Sequence, residues 1–290
     1  GHYHLLAERG YGEHAEASYA FFPLFPAALA VLGRLPIPVE LAGSALNVLL
    51  FLLSLRTMRR LCADDKTLLL FAALPFSVFF VANYTESLAL FLSTTVALSA
   101  SRDKTPQAFA AAVLAGMTRI TCLALVFFAI DAVRERKWLK ALALATGPPI
   151  GLACFSGYLW LTTGDPLKLF HIQQKFGRGT TPSPGYILEG LIQTTAKRGI
   201  FGVWEVAFAS IVLVGGAYLA VRGNWGAGLY SAALIYLPLF TGRMTSVNRY
   251  ALLAFPVYLL LFSSIQSKRA AWFVLGVEAL VAFYYAAEFG

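Results

Sequence analysis

The chain has 290 residues, 58% of them hydrophobic and 13% charged, with a mean hydropathy of +0.68 and a net charge of +8. Soluble domains carry about 25% charged residues, so this composition excludes an ordinary water-soluble enzyme. The basic residues sit in short clusters between apolar runs, which argues against nucleic acid as partner and for the cytoplasmic loops of a membrane protein.

Successive apolar segments of about 20 residues match the thickness of a bilayer core. They are continuously apolar, as helices are, not alternating as barrel strands are. The expected fold class is all-α: a polytopic integral membrane protein of about ten transmembrane helices, some short or broken, forming one domain over 1–290. The three cysteines, Cys62, Cys122 and Cys154, read as small hydrophobes without a disulfide.

In chain order, Gly1 to Ser18 is polar and carries Glu8, Glu13, His14 and Glu16. Ala20 to Pro38 is apolar but interrupted by four prolines. Residues 1–37 are therefore expected to form an outer loop with interfacial helices. The basic clusters follow: Arg56, Arg59, Arg60 and Lys66; Arg102 and Lys104; Arg134, Arg136, Lys137 and Lys140; Arg222; Lys268 and Arg269. With all of them on the cytoplasmic side, Glu40 to Leu55 enters, Thr67 to Ala82 leaves and Leu88 to Ala100 returns. Asn83 to Glu86 then forms the outer tip of a hairpin.

Pro106 to Asp131 is too short for two full crossings, and reads as two short helices broken at Gly116 to Arg119, with Arg119 in a recess. Broken backbone at membrane depth is tolerated only where protein or a water-filled cavity lines it. Trp138 to Thr162 leaves, kinked at Gly147-Pro148-Pro149. The polar stretch 164–199 is a large outer loop. Ile200 to Val221, Trp225 to Thr241, Tyr250 to Ile265 and Ala270 to Ala287 complete the spans.

This threading gathers the unusual polar residues on the outer side: His2, His4, Glu13, His14 and Glu16; Asn83, Tyr84 and Glu86; Arg119; Gln173, Gln174, Lys175 and Arg178; Arg243, Asn248, Arg249 and Tyr250. Ionisable groups near a membrane usually face a cavity or a partner, and arginine's planar fork suits phosphate. Each has a plainer reading too: Glu86 as a helix cap, Arg119 as a structural ion pair, Arg243 and Arg249 as interfacial anchors. The histidines have no specific metal-ligand spacing. These residues point to an outward site for an anionic, membrane-anchored substrate, and leave enzyme and transporter both open.

Four stretches narrow the choice: GHYHLLAERGY (Gly1 to Tyr11), AFFPLFP (Ala20 to Pro26), LPFSVFFVANYTESL (Leu74 to Leu88) and NRYALLAFP (Asn248 to Pro256). In this order, with GMTR between them and the loop Leu161 to Arg178, they resemble the PIG-V family of mannosyltransferases, over nearly the whole chain. The resemblance implies a GT-C fold with its site facing the outside, and inverting transfer of mannose from a polyprenyl-phosphate-linked donor to a lipid or glycan acceptor. That is chemistry of the kind used in glycosylphosphatidylinositol biosynthesis, here in a bacterial plasma membrane.

It further implies a catalytic aspartate and a first helix upstream of Gly1. Glu13, His14 and Glu86 are then the supporting catalytic groups. His2, Tyr3, Asn83, Tyr84, Arg119, Gln173, Arg243, Asn248, Arg249 and Tyr250 bind substrate. No metal or other cofactor is expected beyond the lipid-linked donor, and any partner subunit is left open. Within the same fold, a protein O-mannosyltransferase differs only in acceptor. A transporter or flippase for a lipid-linked anion is the rival from another class. It needs polar groups continuing across the midplane, and the cytoplasmic halves read as almost featureless.

Overall fold

The computed structural model describes residues 2–61, 64–175, 199–239 and 247–289. Among these there are helices and turns and no strand. The long apolar stretches form α3 (Val39–Leu61), α8 (Trp138–Thr163), α10 (Ile200–Val221) and α14 (Lys268–Phe289). Three helical segments, 39–61, 138–163 and 202–221, are long and apolar enough to cross a membrane. Only about a third of each is buried inside the bundle. Their outward faces carry Leu49, Leu52, Leu139, Leu142, Trp160, Leu161, Val214 and Val221, all exposed. Single exposed apolar residues are ordinary, but several on each of three long apolar helices mark surfaces that meet something other than water.

Shorter helices fill the bundle. They are α1 (His2–Arg9), α2 (Leu24–Leu32), α4 (Asp65–Ala72), α5 (Glu86–Ser101), α6 (Thr105–Gly116), α7 (Phe128–Arg134) and α9 (Lys168–Lys175). Toward the C-terminus come α11 (Trp225–Leu239), α12 (Val247–Ala251) and α13 (Phe255–Ser264). Two expected spans are broken. Thr67 to Ala82 is α4, capped by Asp64 accepting from the Thr67 amide at 2.7 Å, followed by a turn and a 3-10 helix at Ser77–Phe80. Pro75 lacks the N–H and disfavours helix at Leu74, so the helix cannot run through. Tyr250 to Ile265 splits into α12 and α13, because Pro256 opens a fresh first turn.

The break at Gly116 to Arg119 is present: α6 stops at Gly116 and a 3-10 helix resumes at Ile120–Phe127. Its position follows from how α6 meets α8. Gly147 and Gly151 in α8 face Ala112 and Gly116 in α6, small residues at four-residue spacing that let two backbones touch. A Cβ on Gly151 would strike the Val113 carbonyl, and one on Gly116 the Pro148 carbonyl. Pro148 and Pro149 lie inside α8, which continues through them to Thr163 and ends on Gly164 at φ +72.

The bundle has two chemically different ends. α5 runs from Glu86 to Ser101, about 24 Å at 1.5 Å per residue. The end at Ser101 carries exposed Arg102, Lys104, Arg134, Arg136 and Lys137. The end at Glu86 carries Arg119, Arg249, Tyr250, His2 and Gln173. The core between them is packed by Leu90, Leu125, Tyr230, Leu253 and Phe80, all fully buried.

Candidate functional site

The hairpin tip is built by hydrogen bonds to main chain. Asn47, fully buried in α3, donates from Nδ2 to the carbonyls of Ala82 at 2.5 Å and Tyr84 at 3.0 Å. Asn83 Nδ2 donates to the Glu40 carbonyl at 2.9 Å, and Ser87 Oγ to that of Phe80 at 2.6 Å. The tip is thereby bolted to α3, and α5 begins at a fixed point. α1 is tied to the same helix through His4 Nδ1 and Glu40 Oε1, 3.0 Å apart.

At the start of α5 sits Glu86, with no exposed surface. Arg249 Nε, from α12, donates to its Oε1 at 2.6 Å, and Arg119 Nη1, from the chain break, lies 2.9 Å from the same oxygen. Residues far apart in sequence thus meet on one carboxylate oxygen. Glu86 Oε2 has no hydrogen-bond partner among the described residues. The guanidiniums are also held on aromatic faces: Arg249 lies 4.2 Å from the Tyr84 ring centroid and 5.2 Å from Phe79, and Arg119 lies 5.2 Å from Tyr250. Cation–π contact of this kind is strongest when water is excluded.

Above the arginines is a recess of about 300 Å³. Arg119, Arg249 and Tyr250 line it, together with Thr85, Thr118 and Thr121. His2 and Tyr3 of α1 close one side, together with Phe21. His2 stacks on the Phe21 ring at 4.9 Å, while Tyr3 meets Phe21 and Phe25 edge-on. Gln173 of α9 closes the other, its Nε2 donating to the Ala20 carbonyl at 3.3 Å.

Of the residues singled out in the sequence, His2, Tyr3, Arg119, Gln173, Arg249 and Tyr250 line the recess. Glu86 lies beneath the arginines and does not line it. Tyr84 covers Arg249 from outside, and Asn83 is engaged with α3. Asn248 is buried, its Oδ1 lacking a hydrogen-bond partner among the described residues. The Glu13 and His14 side chains, Arg178 and Arg243 lie outside the described residues; the backbone of Glu13–Ala20 forms a 3-10 helix. No group of three or more His, Cys, Asp or Glu able to hold a metal occurs among the described residues.

Sequence reasoning missed Asn47 and Thr121. A lone amide in the apolar run of α3 was the available signal for Asn47. Thr121 gives none, being one β-branched residue in an apolar stretch; it lines the recess, and its buried hydroxyl has no hydrogen-bond partner among the described residues.

The recess carries two guanidiniums against one carboxylate, and that carboxylate is out of reach beneath them. The surplus positive charge among the described residues suits an oxyanion. A second cavity, of about 480 Å³, opens at the opposite end among α5, α7, α8, α11 and α13, where the sequence had suggested nothing. No protein-family model, curated protein or solved structure matches this chain.

Proposed function

We propose that the chain is a membrane glycosyltransferase. In this reading about ten helical segments, in a GT-C-like arrangement, cross a bacterial plasma membrane with the recess facing outside. The recess binds the phosphate of a polyprenyl-phosphate-linked hexose, mannose by the resemblance, and the sugar passes to a lipid or glycan acceptor. The acceptor oxygen bonds to the anomeric carbon, the bond from that carbon to the phosphate oxygen breaks, and the acceptor's proton goes to a carboxylate base. By the resemblance that base is an aspartate, with Glu13 and His14 orienting the acceptor. Arg119 and Arg249 hold the departing phosphate, donors already in place where negative charge develops. Glu86 keeps the two guanidiniums together against their mutual repulsion.

The observation that carries this reading is the pair of arginines on one buried carboxylate, both lining a polar recess. Membranes containing the protein, given radiolabelled polyprenyl-phosphate-mannose, should release label from the donor lipid. Arg249→Ala should lower that rate by roughly 100-fold or more, the scale of losing one oxyanion donor. Equal release with and without Arg249 would overturn the assignment.

The cavity at the opposite end favours a second reading, a transporter or flippase for a lipid-linked anion. Fully buried Tyr230, Leu90 and Leu253 lie in the core between the two ends. Label that crosses a sealed vesicle membrane while still attached to its lipid would select this reading over transfer.

A further inference from the structure

The geometry points to a lipid site at the basic end of the bundle: the cavity there holds one anionic glycerophospholipid, with a hydrocarbon chain in its apolar body and the phosphate at Lys137. This inference rests on reading the chain as membrane-spanning and not on the transfer reaction.

The cavity body is hydrocarbon. Ala97, Phe128, Leu144, Phe255 and Leu259 form its walls, and its volume of about 480 Å³ is in the range of small-molecule sites. An apolar groove adjoins it on the flank of the bundle. Leu260 lines both this cavity and a second, almost wholly apolar groove of about 710 Å³ on the flank between α10 and α13. Ile211, Val214 and Leu261 line that groove, all of them exposed. That groove offers hydrocarbon an apolar surface right beside the cavity.

The mouth is ionic. Lys137 and Lys140 meet Asp103 and Glu135 there: Lys137 Nζ lies 2.7 Å from Asp103 and 3.2 Å from Glu135, and Lys140 Nζ lies 2.9 Å from each. Asp131, the other carboxylate on the wall, accepts the Gly226 amide at 3.0 Å at the start of α11. The acids at the mouth are thus already engaged. The loops at this end carry six basic residues (Arg102, Lys104, Arg134, Arg136, Lys137 and Lys140) against three acidic ones, Asp103, Asp131 and Glu135; Lys137 and Lys140 are the two that line the cavity.

Lys137 is the accessible member, 44% exposed, and both of its partners are half in water. Exposed pairs of this kind contribute little, so a phosphate can take over Lys137 at small cost. Trp138 and Trp225 are exposed at the same end, and Arg134 lies 5.7 Å from the Trp225 ring. Tryptophan with clustered basic residues is the composition of a membrane interface, where basic pockets between helices collect anionic headgroups.

The experiment uses the full chain purified in detergent and incubated with dioleoylphosphatidylglycerol or dioleoylphosphatidylcholine. Native mass spectrometry then counts the lipid retained per chain. One phosphatidylglycerol should be retained in preference to phosphatidylcholine. Lys137→Glu at the exposed mouth, and Ala97→Leu in the body, should each cut retention by at least roughly tenfold. Thermal unfolding of each variant confirms that it is folded, and if Ala97→Leu is not, the surface variant alone decides. Equal retention of the two lipids, or variants that bind like the parent, overturns the inference. So does displacement of phosphatidylglycerol by an equimolar polyprenyl phosphate, which would make the cavity a substrate site. Failure of the transfer assay leaves this readout unaffected.

Discussion

Both ends of the bundle pair cations with carboxylates, in opposite surroundings. At the recess, Arg119 and Arg249 converge on one oxygen of Glu86, whose side chain has no exposure, while theirs are 12% and 21% exposed. At the basic end, Lys137, Asp103 and Glu135 are about half exposed, and only Lys140 is buried. The geometry of contact is similar, but the surroundings decide what each cluster does. Water screens the basic-end network and makes its pairs exchangeable. The recess has little water to compete, so its charges depend on one another.

The largest effect is expected from Glu86→Ala, which leaves two adjacent guanidiniums uncompensated. Breaking a buried pair costs about 3–5 kcal/mol, to be read from denaturant unfolding in detergent. The triple variant Glu86→Leu, Arg119→Met, Arg249→Met sharpens the point. It should recover most of that stability, because replacing a whole buried ionic cluster by apolar groups is often neutral, yet show no transfer. Transfer surviving in the triple variant would mean that the cluster is only structural.

Next comes Gly151→Leu, which drives a side chain into the Val113 carbonyl at the α6–α8 seam. Overpacking there should cost about 1–3 kcal/mol or more. It should also lower the transfer rate, because Arg119 follows directly on that seam.

The smallest effect belongs to Lys137→Ala, for which unfolding should be indistinguishable from the parent. Salt separates the two ends as well: 1 M NaCl should weaken the basic-end network and leave the recess pairs intact. Hydrogen bonds from Lys137 and Lys140 hold the Asp103 carboxyl below its usual range, and those from Lys140 and then Lys137 do the same for Glu135. Folded values below the unfolded ones mean stability that is present above the ordinary carboxylate range. It is lost as pH falls from about 4 through the folded values. A small downward drift of Tm with acid, absent in the double variant Asp103→Asn, Glu135→Gln, would show it.

Much of this contrast is legible in the sequence, and the reasons differ by residue. The break before Arg119 is readable because Gly116 interrupts an apolar run too short to cross twice. Glu86 at a hairpin tip is readable from charge parity between Lys66 and Arg102. That Glu86 lies under the arginines, and not in the recess with them, depends on where α12 docks, which no local pattern encodes. Breaks at Pro75 and Pro256 were visible as prolines but masked by the surrounding hydrophobicity. The basic-end cavity left no trace because small residues, Ala97 and Ala132 among them, make it by what they fail to fill.

The α6–α8 seam is a contact of main chain on main chain. A seam of side chains can absorb change by switching rotamers, whereas this one has no slack. In a library of variants selected for a working recess, positions 116, 147 and 151 should therefore stay confined to the smallest residues. Leu139 and Leu142, on the outward face of the same α8, should drift freely among apolar types. One helix would then record two kinds of selection along its length, with the most constrained positions making no contact with substrate themselves.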